Sequence, residues 1–311
     1  MFKEIEAAKH IVLIAHVNPD ADSFGAASAM YTHLMRLEKK VTLFCATERV
    51  NPRLAFLPWF DNMRHQFPKN ADLAMSFDCG AKSRLGVEVA VPLINIDHHK
   101  SNEGYGTLNV IDTKAISTTE VLYNLFKAQE IKINPKMATA LYAGLLDDSH
   151  GFLAPKTGVN SFKMAAALCE AKASISEAAT ALFHQNSLAA LRLKSLMLAK
   201  MSLHCNAQVV VHLVTREMML ESGAREVDCE APLEESTGLP QVKVALMLRE
   251  NRDGKIKGSL RSVGGRDVEK IAQVFGGGGH QHAAGFEVEN ITLEALYEKV
   301  ILLIQEEIID A

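Results

Sequence analysis

The chain has 311 residues, 48% of them hydrophobic and 23% charged, and a formal net charge of −4. That length suits two domains, and the composition is that of an ordinary globular protein. The charge excludes a global basic field for holding long duplex nucleic acid, but a small anionic substrate met by local positive charge remains open.

The first half alternates strand-like and helix-like segments. "HIVLIAH" (10–16) reads as a strand, and 23–37 as a helix carrying Phe24, Ala27, Met30, Leu34 and Leu37 at helical spacing. "VTLFC" (41–45), "DLAMSFD" (72–78) and "PLINIDH" (92–98) are further strands. Short apolar runs with helices between them predict a parallel sheet in an α/β fold. "STTE" (117–120) is a capping box opening a helix through Phe126. Residues 135–147 form a helix with Pro135 at its start, and 158–203 read as three more helices. Then the texture changes. "AQVVVHLV" (207–214), "QVKVALMLRE" (241–250) and "KIKGSLRSVG" (255–264) are strands, the last two joined by the turn "NRDG". "DVEKIAQVF" (267–275) is a helix that stops at four glycines, "AAGFEVE" a last strand, and "LEALYEKVILLIQEEII" a closing amphipathic helix. The expected division is a first domain over 1–186, a helical linker over 187–205 and a smaller mixed α/β domain over 206–311.

Five cysteines lie far apart with no CxxC pair, which argues against a disulfide framework or zinc knuckle and suits a reducing cytosol. "MFKEIEAAKH" has no signal-peptide core, and no apolar run reaches the roughly 18 residues that span a bilayer. A cytoplasmic protein without a membrane partner is expected.

Ligands of open α/β sheets sit at the carboxyl ends of the strands. The first strand ends in His16, with Asp20 and Asp22 just beyond; the third ends in Asp78; the fourth ends in Asp97-His98-His99; and the helix at 135–147 ends in Asp147-Asp148. Each piece has a structural explanation: a polar turn, Asp22 as a helix cap, a solvated helix end. Their convergence is the signal. Carboxylates at a helix C-terminus also oppose its dipole, a penalty a cation removes. Carboxylate oxygens with a few imidazoles suit Mn²⁺ or Mg²⁺ better than zinc. Asp20, Asp22, Asp78 and Asp148 together balance two divalent ions. Ions held roughly 3.5–4 Å apart need a bridging carboxylate, and such a pair activates water and polarises a phosphoryl group.

In order, "HVNPDAD", "FDCG", "NIDHH", "GLLDDSHGF" and the Gly-rich "GGGGHQHAAG" resemble the motifs of the DHH phosphoesterase superfamily. The similarity covers almost the whole chain. It is nearest the short two-domain NrnA-like oligoribonucleases and pAp phosphatases, whose small domain is of the DHHA1 type. The resemblance implies an active site in the cleft between the two domains, completed by closure of the smaller one. It implies that His16 and Asp20 hold one Mn²⁺, that Asp22, His98 and Asp148 hold the other, and that Asp78 bridges; Mg²⁺ or Co²⁺ are alternatives. It further implies that Asp97 orients His98 from behind and that His99 faces the substrate phosphate. Arg261 and Ser262, with Gly277, Gly278, Gly279 and His280, would grip the nucleotide. The glycines let backbone N–H groups approach an anion, and Arg261 offers a bidentate fork. The chain departs from the family's Thr-Asp-Thr-Gly-x-Phe: Asp147-Asp148-Ser149-His150-Gly151-Phe152 leaves Asp147 competing with Asp148, and His150 and His282 are extra imidazoles.

The expected activity is Mn²⁺-dependent hydrolysis of short RNA to mononucleotides, together with 3′-phosphoadenosine 5′-phosphate (pAp) to AMP. The alternatives are a cyclic or linear dinucleotide phosphodiesterase, a RecJ-like exonuclease, an inorganic pyrophosphatase, and a non-catalytic nucleotide sensor. The apolar helices of 158–203 fit either a homodimer contact or a core.

Overall fold

The computed structural model describes residues 1–306. They divide into two compact units, Met1–Gln185 and the chain from Asn186 onward. The part of the closing helix expected beyond residue 306 lies outside the described residues. No helix among these residues is long and apolar enough to cross a membrane.

The first unit contains α1 (Phe2–Ala7), β1 (His10–Ala15), α2 (Ala21–Arg36), β2 (Lys40–Phe44), β3 (Leu73–Phe77), β4 (Leu93–Asp97) and β5 (Leu108–Ile111). After these come α3 (Thr118–Ala128), α4 (Pro135–Asp148), α5 (Val159–Glu170), α6 (Ile175–Ala179) and a π-helical turn, Thr180–His184. The sheet order is β2-β1-β3-β4-β5 and every pairing is parallel. β1 is buried on both faces, as parallel strands are when both sides are covered. Ile11, Leu13 and Ala15 pack with the helices, while Val12 and Ile14 join Phe44, Ala74 and Leu93 on the other side. The expected alternation with helices holds only in part. The connections from β2 to β3 and from β3 to β4 carry short 3₁₀ turns, at Pro52–Leu54, Phe60–Asn62 and Lys82–Leu85. β5 was not anticipated: it is four residues long and half exposed, so it lacks the apolar run that marks the inner strands.

Helices α2 and α4 approach closely. A Cβ on Gly25 would meet the Ala140 carbonyl oxygen at 2.5 Å, and one on Gly144 would meet Thr119 at 2.5 Å and Asp22 Oδ1 at 2.6 Å. These two glycines set the distance between the helix that carries Asp22 and the helix that carries Asp148.

The second unit opens with α7 (Leu188–Ala199), β6 (Ser202–His204) and β7 (Val209–Val214), then α8 (Arg216–Ser222) and α9 (Glu230–Ser236). It continues with β8 (Val244–Glu250), β9 (Ile256–Ser262), α10 (Glu269–Val274), β10 (Gly278–His280), β11 (Ala283–Val288) and α11 (Leu293–Ile304). Its mixed sheet runs β10-β11-β9-β8-β7-β6, parallel only between β7 and β8. Strand alternation splits the core into two faces. Val209, Val211, Val244 and Leu246 meet α10 and α11; Val210, Ala245 and Met247 meet α7, α8 and α9. The stretch 187–205, expected as a linker, is part of this core, since Leu193 and Met197 of α7 are buried in it. α7 carries no clear apolar stripe, so its periodicity does not point to a core.

The Gly-rich run divides. Gly276 follows α10 with φ +73°, its N–H bonded to the Gln273 carbonyl, and the Gly277 N–H is bonded to the Ala272 carbonyl. This is a Schellman cap, which uses the first two glycines to stop the helix. Gly278, Gly279 and His280 then form an exposed edge strand paired with β11.

Candidate functional site

In a parallel sheet of order 2-1-3-4-5, the crevice opens where the winding reverses, between β1 and β3. His16 directly follows β1 and Asp78 directly follows β3, so they straddle that point. Asp97 closes β4 and leads into His98 and His99. The loop turns sharply at Asp78, a non-glycine residue with φ +58°, of the kind that clusters at functional sites.

Asp78 is the hub. Its Oδ2 lies 3.5 Å from His16 Nε2, and its Oδ1 lies 3.4 Å from His98 Nε2. The two oxygens of one carboxylate therefore face two separate donor sets. One is His16, Asp20 and Asp78; another is Asp22, Asp78, His98 and Asp148, overlapped by a third group of Asp78, Asp97, His98 and His99. Asp20 Oδ2 stands 3.5 Å from His16 Nε2, and Asp148 Oδ2 stands 3.1 Å from His98 Nε2. Asp20, rather than Asp22, caps α2, with its carboxylate accepting from the Ser23 N–H at 2.9 Å. Asp22 lies inside the first turn and points at the start of α3, where its oxygens accept from the Thr118 and Thr119 amides at 2.6 and 2.9 Å. The Thr118 hydroxyl donates to Asp78 Oδ1 at 3.0 Å.

The structure separates the two aspartates at the end of α4. Asp147 accepts from the Ala21 N–H at 3.0 Å and faces Arg53 at 3.9 Å, while Asp148 joins the cluster. It also reassigns Asp97. Asp97 Oδ1 is 2.8 Å from His99 Nδ1 and accepts the His98 backbone N–H, and its other oxygen takes Asn102 Nδ2. The His98 ring instead directs Nδ1 at the Ala115 carbonyl, 3.4 Å away. In extended chain, residues i and i+2 share a side, so Asp97 meets the ring of His99 rather than that of His98.

The electrostatics are those of a cation site. Burial raises the Asp22 carboxyl well above its ordinary range, helped by Asp148 and Asp78. Burial also raises Asp148, to about 6. Burial pushes the His98 imidazole down, but Asp148 and Asp78 outweigh it and lift it to about 11. The same contest at His16, against Asp20 and Asp78, leaves it at about 9. For Asp78 burial opposes ionisation, yet bonds to His16 and His98 hold the carboxyl well below its usual range. Imidazole protons thus balance the buried carboxylates, which is the charge a divalent cation supplies. Donors of oxygen and imidazole nitrogen, with one carboxylate presented to both sets, fit hard divalent cations.

The cluster opens into a cavity of about 450 Å³ lined by Asp20, Asp78, Arg84, His98, His99 and Asp148, with Ile116, Ala154, Pro155 and Lys156 completing the wall. Arg84 escaped the sequence reading. Its Nη2 lies 2.9 and 3.0 Å from the two ring nitrogens of His16, a contact across 68 residues that no local pattern announces. Lys156 also stands at the cavity edge, its Nζ 3.4 Å from the Thr113 carbonyl. Thr118 and Thr119 were read only as part of a helix cap. His150 is exposed, with φ +48°, and belongs to neither donor set.

The residues expected to grip a nucleotide from the second unit are held differently. Arg261 donates from Nη2 to Glu230 Oε2 at 2.8 Å, and its Nε is 3.8 Å from Glu234. The Ser262 hydroxyl donates to the Arg266 carbonyl at 2.6 Å. The Gly277 amide is used in the helix cap, while Gly278, Gly279, His280 and His282 are exposed.

Residues 10–145 match the DHH family, N-terminal domain, and residues 206–308 match the DHHA1 domain. The chain therefore carries a DHH domain followed by a DHHA1 domain, the architecture of a hydrolytic phosphoesterase. Among its relatives, a bifunctional oligoribonuclease and PAP phosphatase NrnA of Thermus thermophilus is 29% identical over 307 residues, covering 96% of this chain and 90% of that protein. A protein of the same name from Bacillus subtilis is 26% identical over 294 residues, covering 93% and 92%. The crystal structure of an exopolyphosphatase-related protein from Bacteroides fragilis shares the fold, with a TM-score of 0.89 over 98% of this chain and 95% of that one at 23% identity.

Proposed function

We propose that this chain is a two-metal, Mn²⁺-dependent phosphoesterase that hydrolyses short oligoribonucleotides to mononucleotides and pAp to AMP. One observation carries the two-metal reading: Asp78 turns one oxygen to His16 and the other to His98. In this reading His16, Asp20 and Asp78 hold one ion, and Asp22, Asp78, His98 and Asp148 hold the other. When bound, the pair supplies Lewis-acid charge for the phosphoryl oxygens and makes water acidic enough to react near neutral pH. The chain's own groups do the rest. Asp97 fixes the ring of His99, whose face toward the cavity meets the substrate phosphate. Arg84 and Lys156 supply positive charge from the cavity wall for the anion. Thr118 holds Asp78, and the Thr118 and Thr119 amides hold Asp22, so both carboxylates keep their aim. Arg261, Gly278, Gly279 and His280 are assigned to the nucleotide, with Arg261 exchanging Glu230 for a phosphate.

The names of the relatives support the substrate class. The cavity does too: about 450 Å³ is within the range of small-molecule sites and has room for one or two nucleotides. The test is a time course with Mn²⁺ on 5′-labelled di- to pentaribonucleotides, a long single strand, pAp and c-di-AMP. Rapid loss of the short RNAs, with the long strand slow and AMP released from pAp, is the expected result. Cleavage of c-di-AMP alone would reassign the substrate, and inactivity with Mn²⁺, Mg²⁺ and Co²⁺ would overturn the reading.

A further inference from the structure

A cavity larger than the one beside Asp78 lies elsewhere among the described residues. It occupies about 610 Å³ within the second unit, between α8 and the β8–β9 hairpin. Four arginines line it, Arg216, Arg225, Arg249 and Arg252, against two carboxylates, Glu226 and Glu250. In a chain whose net charge is −4, this is a local excess of positive charge in a concave place.

Both carboxylates are already engaged. Glu250 accepts the Arg216 backbone N–H at 2.8 Å, and Glu226 takes Arg249 Nη2 at 2.8 Å. The Arg249 side chain is 3% exposed while its partner Glu226 is 65% exposed, so a buried guanidinium rests on a single solvated carboxylate. A buried cation with so little compensation is costly unless a further anion shares it. The Arg216 and Arg252 side chains form no ion pair among the described residues. Met219, Leu220 and Ala224 give the cavity an apolar side.

From this combination we infer that the second unit carries a separate binding site for a nucleoside phosphate. The phosphate goes to Arg216, Arg249 and Arg252, and the flat base lies on Met219 and Leu220. The site is distinct from Arg261. Arg249 pairs in register with Lys257, four residues along β9 from Arg261, or roughly 13 Å at the rise of a strand. It does not depend on the metal centre or on the substrate proposed above.

The test is equilibrium binding of AMP and of inorganic phosphate to the full chain in EDTA. Three proteins are compared: wild type, the double variant Arg216→Ala/Arg252→Ala, and Arg84→Ala. Both arginines of the double variant are exposed, so it should fold, and its melting curve checks that. The expected result is AMP binding that weakens about tenfold or more in the double variant, as loss of charge-assisted contacts implies, and is unchanged in Arg84→Ala. Phosphate should bind about tenfold more weakly than AMP, because it leaves the apolar side unused. AMP binding that survives the double variant, or that Arg84→Ala removes, would overturn the site. Equal affinity for phosphate and AMP would overturn the nucleoside.

Discussion

The two clusters expected to meet substrate, one in each unit, treat charge in opposite ways. In the first, carboxylates at the ends of β1, β3 and α4 are buried together and left for imidazole protons to balance. In the second, the arginine expected to meet substrate is already paired with Glu230 and Glu234. The first arrangement stores unmet negative charge, which only a cation relieves well. The second is satisfied without a ligand, so its contribution to an anion is an exchange of partners and is correspondingly small. The contrast teaches that a cluster is best judged by what its members lack, not by which residue types it contains.

The largest expected effect tests the first half of this contrast. Asp78→Asn removes the carboxylate that both donor sets share, so both ions should be lost together. Activity with Mn²⁺ should fall by about 10³-fold or more, on the scale of losing a charge that stabilises a transition state. Metal titration by calorimetry should show no tight site, while far-UV circular dichroism stays native. Retention of one tight Mn²⁺ in this variant would break the idea of a shared hub.

The next effect is mechanical. Gly144→Ala would ordinarily strengthen a helix by up to about 1 kcal/mol. Here the new Cβ meets Asp22 Oδ1 at 2.6 Å and Thr119 at 2.5 Å, so overpacking should win and cost about 1–3 kcal/mol. Urea unfolding gives the stability, and activity should drop further than stability does, because the displaced side chain is Asp22. An unchanged metal affinity would show that the α2–α4 spacing does not position the site.

Arg261 sharpens the other half. Arg261→Ala should raise KM about tenfold and change kcat little, since the arginine leaves one set of carboxylates for another anion. Glu230→Gln should move KM the other way by a few-fold, because the guanidinium is released. If Glu230→Gln raised KM as much as Arg261→Ala, the pair would be holding the fold together and not waiting for a phosphate.

These predictions also mark what could be read from the sequence. The inner strands are legible because β1, β3 and β4 are short, mostly apolar runs, and the rule that ligands sit at strand ends then gathers His16, Asp78 and His98. The half-exposed β5 and the packed α7 were not, because neither has a periodicity that points to a core. Within the site, residue types were legible and pairings were not. Nothing local says that Asp97 holds the ring of His99 and not that of His98, that Arg84 reaches His16, or that Glu230 occupies Arg261. The glycines misled for a related reason. Four in a row read as an anion cradle, but the first two satisfy the carbonyls at the end of α10, a demand set by where that helix stops.

The smallest effect separates the units by pH. His212 on β7 is buried, with Nδ1 3.2 Å from the Met197 carbonyl and Nε2 2.7 Å from Ser236 Oγ. Burial pushes its imidazole below the ordinary value of 6.5, with no carboxylate to oppose it. The unfolded chain therefore takes up this proton at a higher pH than the folded chain. The contribution of His212 is fully present above about pH 6.5 and is lost as pH falls through the folded value. This is opposite in direction to the imidazoles beside Asp78, which bind their protons more tightly when folded. Hydrogen exchange at β7 and β8 between pH 8 and pH 5.5 reads the second unit alone, and protection there should weaken on acidification. His212→Asn keeps polar atoms in place without the titration and should flatten that slope. An equal slope in the variant would assign the acid sensitivity to other groups.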